Sequence, residues 1–221
     1  MNDPAYQNSR YTVSVHELEE SADTLLFTFV PKEIPPERKP NGVPRFMPHF
    51  LVVVRQGVEG LAFDWSGTPD NPGAAREELE AEIAVRMKDR FVWIERVTAL
   101  VGQVEQWAKE RGWATRRVEK KLEDAGVGRH RVPALLMQEE TCRILLEPVG
   151  RSAGDTEGVV DLYLMPAYDD IASLYYYDGR WNLHYLFPGD KLVADMREAK
   201  ALPLSKETVA KVLAEMRQHA A

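Results

Sequence analysis

The sequence predicts an α+β protein in which an antiparallel meander sheet, about five strands over residues ~132–187, packs against a long amphipathic helix and a C-terminal helix. Three observations lead to this class. Alternating apolar runs flank a two-residue turn at Asp178-Gly179, short connections separate the strand-like segments before it, and an apolar stripe with helical spacing begins near Ala74.

The clearest local signal is the segment from Ile171 to Phe187, in which two aromatic runs flank Asp178-Gly179. Glycine, and less easily aspartate, adopts the positive φ angles of a type I′ turn, so this dipeptide predicts a tight β-hairpin. A two-residue turn sets the register, and alternation then divides the side chains between two faces. The predicted core face carries Ala172, Leu174, Tyr176, Trp181, Leu183 and Tyr185, and the opposite face carries Ser173, Tyr175, Tyr177, Arg180, Asn182 and His184.

Three more strand-like segments precede the hairpin, namely Pro133–Glu140, Cys142–Val149 and Gly158–Met165. Their short connections favour antiparallel neighbours in a meander. Alternation in these strands extends both faces and places Cys142 among the apolar positions, as a buried structural cysteine. The face opposite the core gains Arg143, Glu147, Asp161 and Tyr163.

Helical periodicity begins near Ala74, where apolar residues recur every three or four positions. This spacing predicts one long helix with an apolar stripe along one side, and Gly112 is suited to end it. The stripe comprises Leu79, Ile83, Met87, Phe91, Ile94, Val97, Val101, Val104 and Ala108.

Two further helices are predicted. A short one covers Arg116–Ala125, with Thr115 as its N-cap and Gly126 just past its end. The C-terminal helix follows Ser205 and runs towards His219, with its apolar residues on one side.

Strand-like segments in the N-terminal part of the chain are Thr24–Val30, His49–Gln56 and Leu61–Trp65. Six prolines between Pro31 and Pro48 predict a loop there, because each proline removes a backbone donor. Met1–Arg10 is expected to be a flexible terminus. We expect residues 1–73 to form N-terminal strands with a proline-rich loop and residues 74–221 to form the main domain, with one continuous domain as the alternative.

The composition is that of a globular protein, with 44% hydrophobic and 29% charged residues and a net charge of -7. The negative charge argues against general affinity for DNA or membranes. Cys142 is the single cysteine, which excludes a disulfide framework or a multi-cysteine metal site within one chain. No segment has the length of a membrane span and the N-terminus lacks a secretory signal pattern, so we expect a soluble, cytoplasmic protein.

The face opposite the core is the candidate ligand-binding surface, because tyrosines offer contact area and hydroxyl groups beside an arginine. Its candidate residues are Asp161, Tyr163, Tyr175, Tyr177, Arg180, Asn182 and His184. The common catalytic, metal and nucleotide motifs are absent from the sequence. We therefore expect a non-catalytic interaction or ligand-binding module without cofactor or metal. The sequence does not identify its partner, for which another protein and a second copy of the chain are the two candidates.

Two alternative functions stay open. An enzyme acting on a small anionic substrate would use His184 as a base and Arg180 to bind the anion. A nucleic-acid-associated protein would use the basic stretch 109–131, which holds eight Lys and Arg residues against four Asp and Glu residues. Ion pairs within the predicted short helix would neutralise much of that charge, so nucleic acid is not the favoured partner.

Overall fold

The computed structural model describes residues 6–8, 10–17, 24–32, 50–66, 72–124, 128–151 and 156–220. Over these ranges the chain forms two antiparallel sheets and two α-helices, which confirms the α+β class with more strands than the expected five. The chain divides into two compact units, one containing Met1–Phe91 and Glu123–His130 and the other Val92–Leu122 and Arg131–Ala221. The division at residue 73 stays a prediction about independently folding domains.

The first unit holds a five-stranded meander whose spatial order follows the chain: β1 (Tyr6–Gln7), β2 (Tyr11–Glu17), β3 (Thr24–Pro31), β4 (Phe50–Gly57) and β5 (Gly60–Ser66). Alternate residues of β3, such as Phe27 and Phe29, are buried against the first half of helix α1 (Pro72–Glu110). The three predicted strands are confirmed. Strands β1 and β2 were not predicted, so the expected flexible terminus is wrong at Tyr6–Gln7, and residues 33–48 of the proline-rich stretch lie outside the described residues.

A seven-stranded sheet follows, again in chain order: β6 (Ala114–Asp124), β7 (Gly128–Glu139), β8 (Cys142–Gly150), β9 (Val159–Met165), β10 (Asp169–Tyr177), β11 (Arg180–His184) and β12 (Ala201–Pro203). A 3-10 helix, Met196–Glu198, lies between β11 and β12, and helix α2 (Lys206–His219) ends the fold. In the second unit, the second half of α1 and helix α2 pack on one face of this sheet. That face carries the predicted core residues, including the buried Cys142.

The β10–β11 hairpin has the predicted register, with Tyr177 opposite Arg180 and Ser173 opposite His184. Asp178 and Gly179 have φ angles of 52° and 73°, as a type I′ turn requires. The turn chemistry therefore determines which hairpin side chains share a face.

Helix α1 is continuous past Gly102 and ends as predicted. Gly112 has a φ of 87°, its amide donates to the carbonyl of Lys109, and the amide of Trp113 donates to that of Ala108. These two bonds form a Schellman motif. The predicted stripe is buried apart from Phe91 and Ile94, which are half-buried, and the helix also buries Arg90, Trp93 and Leu100, which lie outside it.

Strand β6 corrects the short helix predicted over Arg116–Ala125, because Ala114–Asp124 form a strand instead. The segment has residues that suit a helix, but only Val118 and Leu122 are large and apolar, so a helix there would bury little surface. As a strand, the same segment bonds its backbone to β7. Tertiary pairing therefore overrides local propensity.

Neither of the described helices is long and apolar enough to cross a membrane.

Candidate functional site

A row of polar residues crosses four strands on the sheet face opposite the helices. Glu147 in β8 lies opposite Asp161 in β9, Asp161 lies opposite Ser173 in β10, and Ser173 lies opposite His184 in β11. Residues directly opposite each other in a sheet have neighbouring side chains on one face. The strand registers thus bring together Asp161 and His184, two candidate residues, with Glu147 and Ser173 beside them.

Both ring nitrogens of His184 have hydrogen-bond partners, and the residue is only 4% exposed. Its Nδ1 lies 2.9 Å from the Ala199 carbonyl oxygen, which can only accept, so Nδ1 carries the proton. The Tyr177 hydroxyl then donates to Nε2 over 3.3 Å. Burial lowers the pKa of His184, against the opposing effect of its backbone hydrogen bonds. The ring is therefore a neutral structural element with neither nitrogen free for a substrate.

Tyr175 and Asn182 are also buried. The Asn182 amide donates to the carbonyls of Tyr177 and Arg180, at 3.4 and 3.2 Å, and so braces the hairpin. Burial raises the pKa of Tyr175, and the nearby charges of Asp195 and Arg197 also act on this pKa. The segment around the 3-10 helix therefore lies over the β10–β11 part of the face, while Arg180 stays exposed at the hairpin end and Tyr177 is half-buried.

Asp161 and Tyr163 form the second part of the candidate site. The Tyr163 hydroxyl donates to Oδ2 of Asp161 over 2.8 Å. Burial raises the pKa of Asp161 and the nearby Glu147 adds to this, whereas the Ser173 and Tyr163 hydroxyls and Lys120 oppose it. Burial and the Asp161 charge likewise raise the pKa of Tyr163. Oδ1 of Asp161 is buried without a hydrogen-bond partner in the described structure.

An apolar row runs beside the polar one on the same face. Leu136 lies opposite Leu145, Leu145 opposite Tyr163, and Tyr163 opposite Ile171. Ile171 is 37% exposed, and Tyr168, whose ring centre lies 5.7 Å from that of Tyr163, is 50% exposed. We call these five residues the open sheet face. Among these five residues the sequence pattern predicted only Tyr163 as a site residue, although Leu145 stands between Arg143 and Glu147 in the alternation.

The basic stretch 109–131 is largely neutralised, mainly by ion pairs between elements rather than within the helix that was expected. The Glu105 carboxylate forms ion pairs with Lys109 and Arg117, each over 2.7 Å. The Glu147 carboxylate forms an ion pair with Lys120 over 2.9 Å. Two further pairs involve Arg129 with Glu123 and Arg131 with Glu119. Nearby carboxylates therefore balance most of the positive charge of this stretch.

A cavity of about 450 Å³ lies in the second unit, away from the candidate residues. Its lining includes Arg111, Trp113, Glu139, Leu213 and Arg217. Two ion pairs already engage Arg217, one with Glu139 at 2.9 Å and one with Glu140 at 3.0 Å.

In comparisons with known proteins, no family model, no curated protein and no solved structure matches this chain.

Proposed function

We propose that this protein is a non-catalytic protein-binding module and that the open sheet face is its binding surface. The observation that carries the proposal is the apolar row Leu136–Leu145–Tyr163–Ile171, which lies on the face opposite the helices. An antiparallel sheet normally presents polar residues on its uncovered face. A partly exposed row of apolar residues there, with an aromatic pair at one end, is typical of a protein-interaction surface.

The residues beside the row indicate the chemistry of the partner. Asp161 has one carboxylate oxygen without a hydrogen bond, whereas Glu147 already forms an ion pair with Lys120. Because Oδ1 itself is buried, a Lys or Arg side chain of a partner would be attracted by the Asp161 carboxylate from the surface, where it would lie near the rings of Tyr163 and Tyr168. The partner that fits is therefore an amphipathic polypeptide segment with apolar side chains next to a basic one.

The same geometry favours binding over the two alternatives. An enzyme built on His184 and Arg180 would need an imidazole nitrogen within reach of a substrate, and both nitrogens of His184 are occupied. A nucleic-acid partner would need unpaired cations, and most of the basic stretch faces carboxylates. Neither alternative has an observation that favours it.

A displayed peptide library tests the proposal. Peptides are selected on the wild-type protein alone, and their dissociation constants for the wild type and for an Ile171→Asp variant are then measured by calorimetry. We expect the enriched peptides to combine apolar residues with Lys or Arg, and to bind the Ile171→Asp variant at least about tenfold more weakly. Asp161→Asn is expected to weaken the peptides that contain a basic residue.

Leu192→Asp is the matched control, because Leu192 is 84% exposed and lies outside the open sheet face. It should bind the selected peptides like the wild type, and thermal melts should show that all variants are folded. Failure to enrich any peptide, or enriched peptides that bind the Ile171→Asp variant as tightly as the wild type, would overturn the proposal.

A further inference from the structure

Strand β6 forms one edge of the seven-stranded sheet and has 11 residues. Among the described strands β7 is its single neighbour, and most of its side chains are exposed. An edge strand presents unpaired backbone amides and carbonyls to any second strand of compatible sequence. Charged residues usually protect such an edge by repulsion, so the arrangement of charges on β6 decides what can pair with it.

We infer that the edge of β6 is a docking surface for a second copy of this chain, through antiparallel pairing of the two β6 strands. Two identical strands related by a two-fold axis obey a simple rule. If residue i of one copy lies opposite residue j of the other, then residue j of the first copy also lies opposite residue i of the second. Directly opposed residues share a face of the sheet, so the two-fold axis must pass between two identical residues, one from each copy. Each possible register is therefore named by its central residue.

The register centred on Lys120 places complementary residues opposite each other. Glu119 then faces Lys121, and the apolar Val118 faces Leu122. Further out along the strand, Arg117 faces Glu123 and Arg116 faces Asp124. Opposite charges directly across an antiparallel pair are stabilising, and each contact occurs twice because of the two-fold axis.

The neighbouring registers place like charges together. Centring on Glu119 sets Glu119 against itself and Arg117 against Lys121. Centring on Val118 sets Arg116 against Lys120, and centring on Lys121 sets Glu119 against Glu123. Like charges directly opposite each other destabilise a sheet, which disfavours these three registers. Centring on Leu122 brings no like charges together, but it pairs only residues 120–124 of the strand, whereas the Lys120 register pairs residues 116–124. Charge pattern and length of overlap together therefore favour the Lys120 register.

The structure offsets the one like-charge contact of this register and supports its central apolar contact. The single like-charge contact, Lys120 against its copy, is offset because each Lys120 lies 2.9 Å from Glu147 of its own chain. The central apolar contact gains from Val118, which is 40% exposed in one copy and would be covered by Leu122 of the other. Lys121 has no ion-pair partner in the described part of the chain, and the second copy places Glu119 opposite it.

A charge exchange tests the register. Sedimentation velocity over a range of protein concentrations should show a reversible monomer–dimer equilibrium for the wild type. Lys121→Glu and Glu119→Lys should each weaken dimerisation about tenfold or more, because each places like charges opposite each other. The double variant carrying both changes restores opposite charges and should dimerise nearly as well as the wild type.

Disulfide trapping gives an independent readout that depends on distance. Residues opposed across an antiparallel pair have Cα atoms about 4.5–5.5 Å apart, within the range of a disulfide. Lys120→Cys should therefore form a cross-linked dimer under mild oxidation. Arg116→Cys is the control, because in this register the two copies of residue 116 are eight positions apart, roughly 26 Å. The native Cys142 is buried and should not react.

A wild-type chain that stays monomeric at all concentrations would overturn the inference. So would a double variant no better at dimerising than the single variants, or equal cross-linking by Arg116→Cys and Lys120→Cys. Peptide binding at the open sheet face is measured on other residues, so failure of one proposal is distinguishable from failure of the other.

Discussion

Gly158 lies so close to the indole of Trp93 that a Cβ added to it would be 2.5 Å from Cζ3 of that ring. The same Cβ would lie 3.3 Å from Cη2 of Trp181. Both rings belong to the core of the second unit, and neither is the free end of a flexible side chain. Glycine at position 158 is therefore required by the close approach of the backbone to this tryptophan pair.

Gly158→Ala should reduce the free energy of unfolding by roughly 1–3 kcal/mol, because overpacking forces rings or backbone to shift. Gly102→Ala is the contrasting control in the same unit. Its Cβ would meet only the flexible end of Arg117 at 3.4 Å, and alanine in a helix interior should stabilise by about 0.5–1 kcal/mol. Urea denaturation measures both, and a Gly158→Ala variant as stable as the wild type would contradict the contact.

His184 should make stability depend on pH. Burial lowers the pKa of its imidazole in the folded state, so the unfolded chain binds a proton first as the pH falls below about 6.5. The free energy of unfolding should consequently decrease on acidification until the folded-state pKa is reached. His184→Gln can keep both hydrogen bonds and cannot titrate, so its stability should change less with pH.

Denaturation at a series of pH values compares the two proteins. His219 has the opposite effect, because its hydrogen bond to Asp170 raises its pKa, and the stability it contributes is lost as the pH rises. His219 is present in both proteins, so its contribution cancels when the stability of one protein is subtracted from that of the other at each pH. Parallel stability curves for the wild type and His184→Gln would show that the ring is not buried as described.

Glu105 connects helix α1 to strand β6. Its hydrogen bonds from Lys109 and Arg117 lower its pKa, so its stabilising effect is complete at neutral pH and is lost as the pH falls through the folded-state pKa. Glu105→Gln should cost about 1 kcal/mol at neutral pH, and the difference should vanish in strong acid. Glu95→Gln, at an exposed position on the same helix, should change stability by less than about 0.5 kcal/mol.

Gly179 tests the hairpin turn. Its φ of 73° is unfavourable for a β-branched residue, so Gly179→Val should cost roughly 1–3 kcal/mol of stability. Asp178→Asn should be nearly neutral, because asparagine tolerates the positive φ of that position. Thermal melts that show Gly179→Val to be as stable as the wild type would remove the type I′ assignment.

The basic stretch should not bind duplex DNA at about 150 mM salt, because ion pairs neutralise most of it. Fluorescence anisotropy with a labelled duplex, over a range of salt concentrations, provides the measurement. Clear salt-sensitive binding that is lost in an Arg116→Ala, Arg117→Ala, Lys120→Ala variant would favour the nucleic-acid alternative instead.

Local patterns predicted the features that depend on local chemistry. The Asp178-Gly179 turn set the hairpin register, apolar spacing predicted helix α1 and its end at Gly112, and Ser205 marked the start of α2, where its side chain accepts from the amide of Thr208. Alternation also separated the buried core residues from the opposite face. Each of these depends on neighbours a few positions apart in the chain.

Local patterns failed where distant segments meet. Strand β6 has the residues of a charged helix, and its pairing with β7 made it a strand. Tyr175, Asn182 and His184 were expected to line a binding surface, and no periodicity indicated that residues 195–199 would lie over them. Arg90 lies outside the predicted apolar stripe, yet it is buried and donates to the carbonyl of Arg129.

The sequence by itself determined the α+β class, the hairpin with its two faces, and the two helices, because turn chemistry and periodic burial act over short separations. Only the tertiary structure decided which polar residues of that face stay accessible. Strand registers aligned Glu147, Asp161, Ser173 and His184, and the segment before β12 covered one end of the row. Within the described structure Tyr168 and Ile171 of the open sheet face stay exposed and β6 stays an edge strand, because burial depends on contacts between residues far apart in the chain.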